Sequence, residues 1–183
     1  VKNVVNHHIA ISKELFVETI RKQEKQRLNK CIKAGFISQI EPCKNVAHIY
    51  NFLQSCRAQK GYDLSLNEEQ LKKLLTTFPD KVIVFTIRHN NRLIALSVTI
   101  RVNTRILYNF LTNSLPQYNL YSPSVFLTEC IYSYCQTEQI QILDLGTSLD
   151  HHGHEKAGLL RFKDNTGGKR SWKVTYSKDF FFV

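Results

Sequence analysis

Ile140-Gln-Ile-Leu-Asp-Leu-Gly-Thr-Ser148 is followed by Leu149-Asp-His-His-Gly-His-Glu155, then Gly158-Leu-Leu-Arg-Phe-Lys163, then Gly167-Gly-Lys169. Ile140 to Leu145 is apolar apart from Gln141 and Asp144, which predicts a buried strand that gives way to Gly146-Thr-Ser148. The His-rich run predicts a polar loop. Residues 154 to 164 predict a short helix carrying Phe162 and Lys163, and Trp172 to Tyr176 a last strand. Loops that leave the end of a buried strand are a common place for chemistry.

Upstream of this stretch, Ser122-Pro-Ser124 predicts a helix start, with Ser122 as side-chain cap and Pro123 in the first turn. The helix is expected to run to about Gln136. A helix between two strands predicts that the strands are parallel. The earlier strand is Ile106 to Leu111. It closes a meander with 82–88 and 93–102, the first pair joined by Asn90-Asn91. Before the meander come two helices, from Val46 and from a capping pattern at Ser65-Leu-Asn-Glu68, and a short strand at 36–41. Residues 12 to 34 lack Gly and Pro and hold seven Lys/Arg against three Glu. They predict one long, exposed basic helix stopped by Gly35, with Lys2 to Ile11 weakly patterned before it.

From Phe36 the order is therefore β-α-α-β-β-β-α-β-α-β, an α+β mixed sheet with helices on both faces. The chain has 183 residues, 43% of them hydrophobic, enough for a sizeable core. No apolar run is long enough for a membrane span, no signal peptide is expected, and a cytoplasmic location is. Five cysteines without a C-x-x-C pair argue against a disulfide framework or structural zinc. The formal charge is +10, from 25 Lys and Arg against 15 Asp and Glu. Such a surface attracts phosphates, whether of nucleic acid, lipid or a cofactor. The first residue is Val1, there is no Met, and the chain ends on Phe180-Phe-Phe-Val183. These features lead to the expectation that the chain is part of a longer polypeptide, with the phenylalanines packed on this domain, a missing domain or a second copy.

This order resembles that of the GNAT acyltransferase superfamily. Asp144-Leu-Gly-Thr-Ser148, Gly158-Leu-Leu-Arg-Phe-Lys163 and Gly167-Gly168 resemble the closing third of its Fem-type and acetyltransferase-like branch, and Tyr121-Ser-Pro-Ser124 fits that branch. The resemblance covers about residues 36–178. It implies a GNAT-like domain over 36–183, with residues 1–35 a basic segment linking it to a preceding GNAT-like domain. It also implies that 106–111 and 140–145 splay apart around the arm of an acyl donor. The donor would be acyl-CoA such as acetyl-CoA or, as some Fem-type proteins use, aminoacyl-tRNA. The Gly-containing phosphate loop usual in the superfamily is absent: Leu115 to Ser124 contains no glycine.

On this resemblance Ser122, Ser124, Phe110, Leu111 and Phe162 are the candidate donor-binding residues. Lys163 is the candidate catalytic cation, meeting either a donor phosphate or the oxyanion of the tetrahedral intermediate. His152 and His154 are candidates for the base that takes a proton from an amine. No metal is expected, since a loop with three close histidines is a poor preformed site. Asp144 is expected to be structural. The acceptor would be the amine of a small molecule or of a cell-envelope precursor. The alternatives are a non-catalytic GNAT-like module that binds RNA or another polyanion, one half of a two-domain transferase, and a homodimer.

Overall fold

The computed structural model describes residues 2–42, 45–150 and 153–177. Its strands are β1 (Lys2–Ala10), β2 (Ile37–Glu41), β3 (Val82–His89), β4 (Arg92–Arg101), β5 (Ile106–Ser114), β6 (Ile142–Thr147) and β7 (Lys169–Thr175). Its helices are α1 (Phe16–Thr19), α2 (Lys22–Lys33), α3 (Val46–Ala58), α4 (Glu68–Thr77), α5 (Pro123–Thr137) and α6 (Ala157–Asn165), with a 3-10 turn at Pro116–Tyr118 before α5. The strands form one sheet in the order β2-β3-β4-β5-β6-β1-β7. Neighbours are antiparallel except β5 and β6, which are parallel across the α5 crossover.

Two cores sandwich the sheet. Ile49, Leu53, Leu71 and Leu75 of α3 and α4 pack on Val84, Leu96, Val98 and Leu111. On the other side Val125, Leu127, Ile131 and Tyr132 of α5 join Phe85, Ile87, Leu107 and Leu143. A central strand buried on both faces needs no polar alternation. That is why β4 is buried continuously from Leu93 to Thr99, where a one-faced apolar stripe is expected from Ile94 to Val102.

Local chemistry explains the connections. Asn90 and Asn91 have φ of 49° and 62°, and His89 pairs with Arg92, which is the two-residue hairpin expected of Asn-Asn. At α4 the cap is Asn67 rather than Ser65. Its side chain accepts from Gln70 N at 2.8 Å, and Gln70 Oε1 accepts from Asn67 N at 3.0 Å.

The N-terminal third departs most from expectation. Lys2–Ala10 is not a preamble: β1 pairs with β6 on one side and β7 on the other. Without it β7 has no neighbour among the described strands. The basic segment is two helices, and Phe16, Ile20, Leu28 and Cys31 lie in the core beside α5. Tyr132, fully buried, accepts from Ser12 N at 3.2 Å and contacts the Glu14 carbonyl at 3.3 Å. A domain boundary at residue 36 would cut through this packing. Residues 1–35 carry the apolar spacing of an inner face as well as their charge, and the charge hid the spacing.

Candidate active site

β5 and β6 pair over three residues only, Ile106 with Ile142, Leu107 with Leu143 and Tyr108 with Asp144. Beyond that point each strand carries one extra residue against its outer neighbour. Phe110 is the extra residue of β5, because Thr99 pairs with Asn109 and Val98 with Leu111. Leu145 is the extra residue of β6, because His8 pairs with Asp144 and His7 with Gly146. A bulge bends the strand that carries it, so one in each strand at the same level turns the two apart. The result is a cavity of about 840 Å³ between the C-terminal halves of β5 and β6. Backbone N–H and C=O groups on the facing edges lose their ladder partners there, and such groups need others.

Gly146 fixes the β6 side. Its φ is 70°, and a Cβ there would lie 3.1 Å from the Tyr108 ring, so only glycine lets the strands meet and then part. Asp144 Oδ1 accepts from Gly146 N at 2.8 Å and from Asn6 Nδ2 at 2.9 Å. The aspartate thus ties the strand end to its own turn and to β1, as expected.

Lys163 projects from α6 into the same place. It is 6% exposed and lines the cavity. Its Nζ donates to the carbonyls of Gly146 at 2.9 Å and Thr147 at 2.8 Å. An ammonium has three N–H groups, so one is left for a ligand. Burial pulls its pKa from the ordinary 10.5 down to about 8, against the opposing pull of Asp144. The lysine therefore also anchors β6, a second role that its place in the sequence does not reveal. Phe162 lines the cavity next to it and packs on the α5-side core.

The other candidates divide. Ser124 lines the cavity from the first turn of α5, and Phe110 lines it from the bulge. Leu111 does not. Its side chain is 3% exposed in the core under α3 and α4, because the residue after the bulge turns to that face. Ser122 is not a side-chain cap: it sits at φ 58°, ψ 61° and makes no capping hydrogen bond. The 3-10 turn before it brings the chain in left-handed, and its N–H donates to Asn119 O at 3.1 Å and Tyr118 O at 3.2 Å. His154 is exposed and absent from the cavity wall. Its N–H donates to Asp150 Oδ1 at 2.9 Å, and its ring lies 3.7 Å from the same carboxylate. His152 lies outside the described residues, as do Phe180 to Phe182.

Several lining residues escape a reading of the sequence. Asn109, Thr112, Asn113 and Ser114 are polar yet belong to β5, which runs three residues past its expected end. Asn109 Oδ1 accepts from Thr112 at 2.7 Å and from Ser97, and Ser97 and Thr112 are 2.9 Å apart. The signal was the polar run itself, which reads as a loop but here faces a cleft. Arg57, Lys60 and Lys156 complete the wall, and among the described residues no Asp, Glu or His is part of it.

Other chemistries find little support among the described residues. No group of three or more His, Cys, Asp or Glu is placed to hold a metal. Burial pushes the thiols of Cys130 and Cys135 up to about 12 and that of Cys31 to about 11, so they stay protonated at neutral pH. No helix is long and apolar enough to cross a membrane.

No family's sequence pattern and no curated protein matches the chain. Solved structures do. FemX superposes with a TM-score of 0.76 at 10% identity, covering 91% of this chain and 59% of its own. L-PGS from Bacillus licheniformis gives 0.62 at 10% identity, covering 93% and 59%. A predicted acetyltransferase with acetyl-CoA from Clostridium acetobutylicum gives 0.55 at 8% identity, covering 81% and 95%. The chain spans about three fifths of the length of FemX and of L-PGS. Identities this low show a shared fold alone, and that fold is GNAT-like.

Proposed function

We propose that this chain transfers an acyl group from a thioester or an aminoacyl ester to an amine, in the manner of the Fem-type transferases. The observation that carries the reading is the paired bulge at Phe110 and Leu145. It opens a strand pair whose unpaired backbone groups suit an amide-rich or ester-bearing arm. Fold alone does not assign a function, but this device is a feature of the site rather than of the sheet.

In the reaction the amine nitrogen attacks the carbonyl carbon and the new N–C bond forms. The C–S or C–O bond breaks, and the surplus proton of the amine passes to the departing sulfur or oxygen. Among the described residues the wall holds no histidine or carboxylate, and direct transfer needs none. The remaining N–H of Lys163 and the unpaired backbone N–H groups of β5 meet the negative charge that develops on the carbonyl oxygen. Phe162 and Phe110 wall the cleft. Ser124, in the first turn of α5, faces the donor where a helix N-terminus favours phosphate.

Transfer assays test this with acetyl-CoA and with an aminoacylated RNA hairpin as donors, and a panel of amines as acceptors. Product is expected with one donor class. Lys163→Ala is expected to lower kcat by about 100-fold, the usual scale for losing an oxyanion contact. Binding of neither donor would sink the reading.

A further inference from the structure

Three cations line the cavity away from Lys163: Arg57 and Lys60 at the C-terminal end of α3, and Lys156 just before α6. Among the described residues no carboxylate shares the wall with them. Arg57 Nε is buried with no hydrogen-bond partner, and so is Asn113 Nδ2. Asn113 is itself only 5% exposed. Both orphans are donors, and both belong to residues of one cavity. Leaving a buried donor unpaired costs free energy, and two in one wall call for an acceptor that no described residue supplies. Desolvation holds the pKa of Lys60 below its ordinary value, with Cys56 opposing this and the neighbouring charges of Arg57 and Lys156 adding to it. Crowded cations of this kind are relieved by an anion.

The position separates this cluster from the donor's phosphates. Asn113 pairs across β4–β5 with Leu96, which lies in the core under α3 and α4. Directly opposed residues share a face, so Asn113 is on the α3 side of the sheet. Ser124 and the start of α5 belong to the other side. We infer that Arg57, Lys60 and Asn113, with Lys156, form an oxyanion subsite on the acceptor side of the cleft, so that the acceptor carries a carboxylate or a phosphate. The naming of the acceptor rests on the transferase reading; the anion subsite does not.

Calorimetric titration with inorganic phosphate and, separately, acetate tests it, in a buffer free of other oxyanions. One saturable site is expected, and the stronger of the two probes identifies the anion. Arg57→Gln and Lys60→Gln should each weaken it about tenfold, the scale of one charged hydrogen bond. Lys33→Gln, on α2, should leave it unchanged. Lys60 lies past the end of α3 and outside both cores, so Lys60→Gln remains informative if Arg57→Gln fails to fold. Saturating acetyl-CoA or aminoacylated RNA hairpin, whichever binds, should leave the site occupied. Absence of saturable binding, equal weakening by Lys33→Gln, or displacement by the donor would each overturn the proposal. Anion binding that depends on Arg57 and Lys60, with no binding of either donor, would remove the transferase reading and leave the subsite in place.

Discussion

Lys163 combines burial, two carbonyl contacts and a place in the cavity wall, and its titration makes this measurable. Its folded pKa, about 8, lies below the ordinary 10.5, so between those values the unfolded chain binds more protons than the folded one. Stability then rises with pH across that window. The full interval corresponds to on the order of 3 kcal/mol. Urea unfolding of the wild type and Lys163→Met, from pH 7.5 to 10.5, isolates this contribution from cysteines and tyrosines that titrate nearby. The wild type should gain on the variant as pH rises, and a constant difference would mean that the ammonium is not desolvated. Phe162-Lys163 stood out in the sequence because of the motif around it. That the lysine also holds the Gly146 and Thr147 carbonyls was not legible, since residues 17 and 16 apart meet only through the fold.

At the scale of elements, the meander, the α5 crossover and β6 follow from period-2 runs, Asn turns and a Ser-Pro start, all local signals. Two features were not local. The bulges at Phe110 and Leu145 add one residue each to strands whose own composition is ordinary, and only the partner's register exposes them. β1 reads Lys-Asn-Val-Val-Asn-His-His-Ile-Ala, with polar residues scattered through it. It belongs in the sheet because Asn6 bonds Asp144, and because fully buried His7 meets Asp164, 3.1 Å away, which Arg170 also holds. A chain starting at Ser12 is therefore expected to lose β7 and the anchor of Asp144 together. It should be recovered unfolded or aggregated, as judged by circular dichroism and size-exclusion chromatography. A folded, monomeric product would show that β1 is an accessory strand.

Across the whole molecule, a GNAT-like sheet opens where β5 and β6 part, and the charged residues that line the cleft, among the described ones, are Arg57, Lys60, Lys156 and Lys163. The basic N-terminal helices are part of this domain rather than a free arm, since α2 packs on α5. The central claim is that the donor lies between β5 and β6 where they cease to pair. Hydrogen-exchange mass spectrometry, with and without saturating acetyl-CoA or aminoacylated RNA hairpin, tests it most directly. New protection is expected in the segments 109–114 and 145–147, with the paired segments 106–108 and 142–144 unchanged. Protection confined to other surfaces, or none with either donor, would contradict the account.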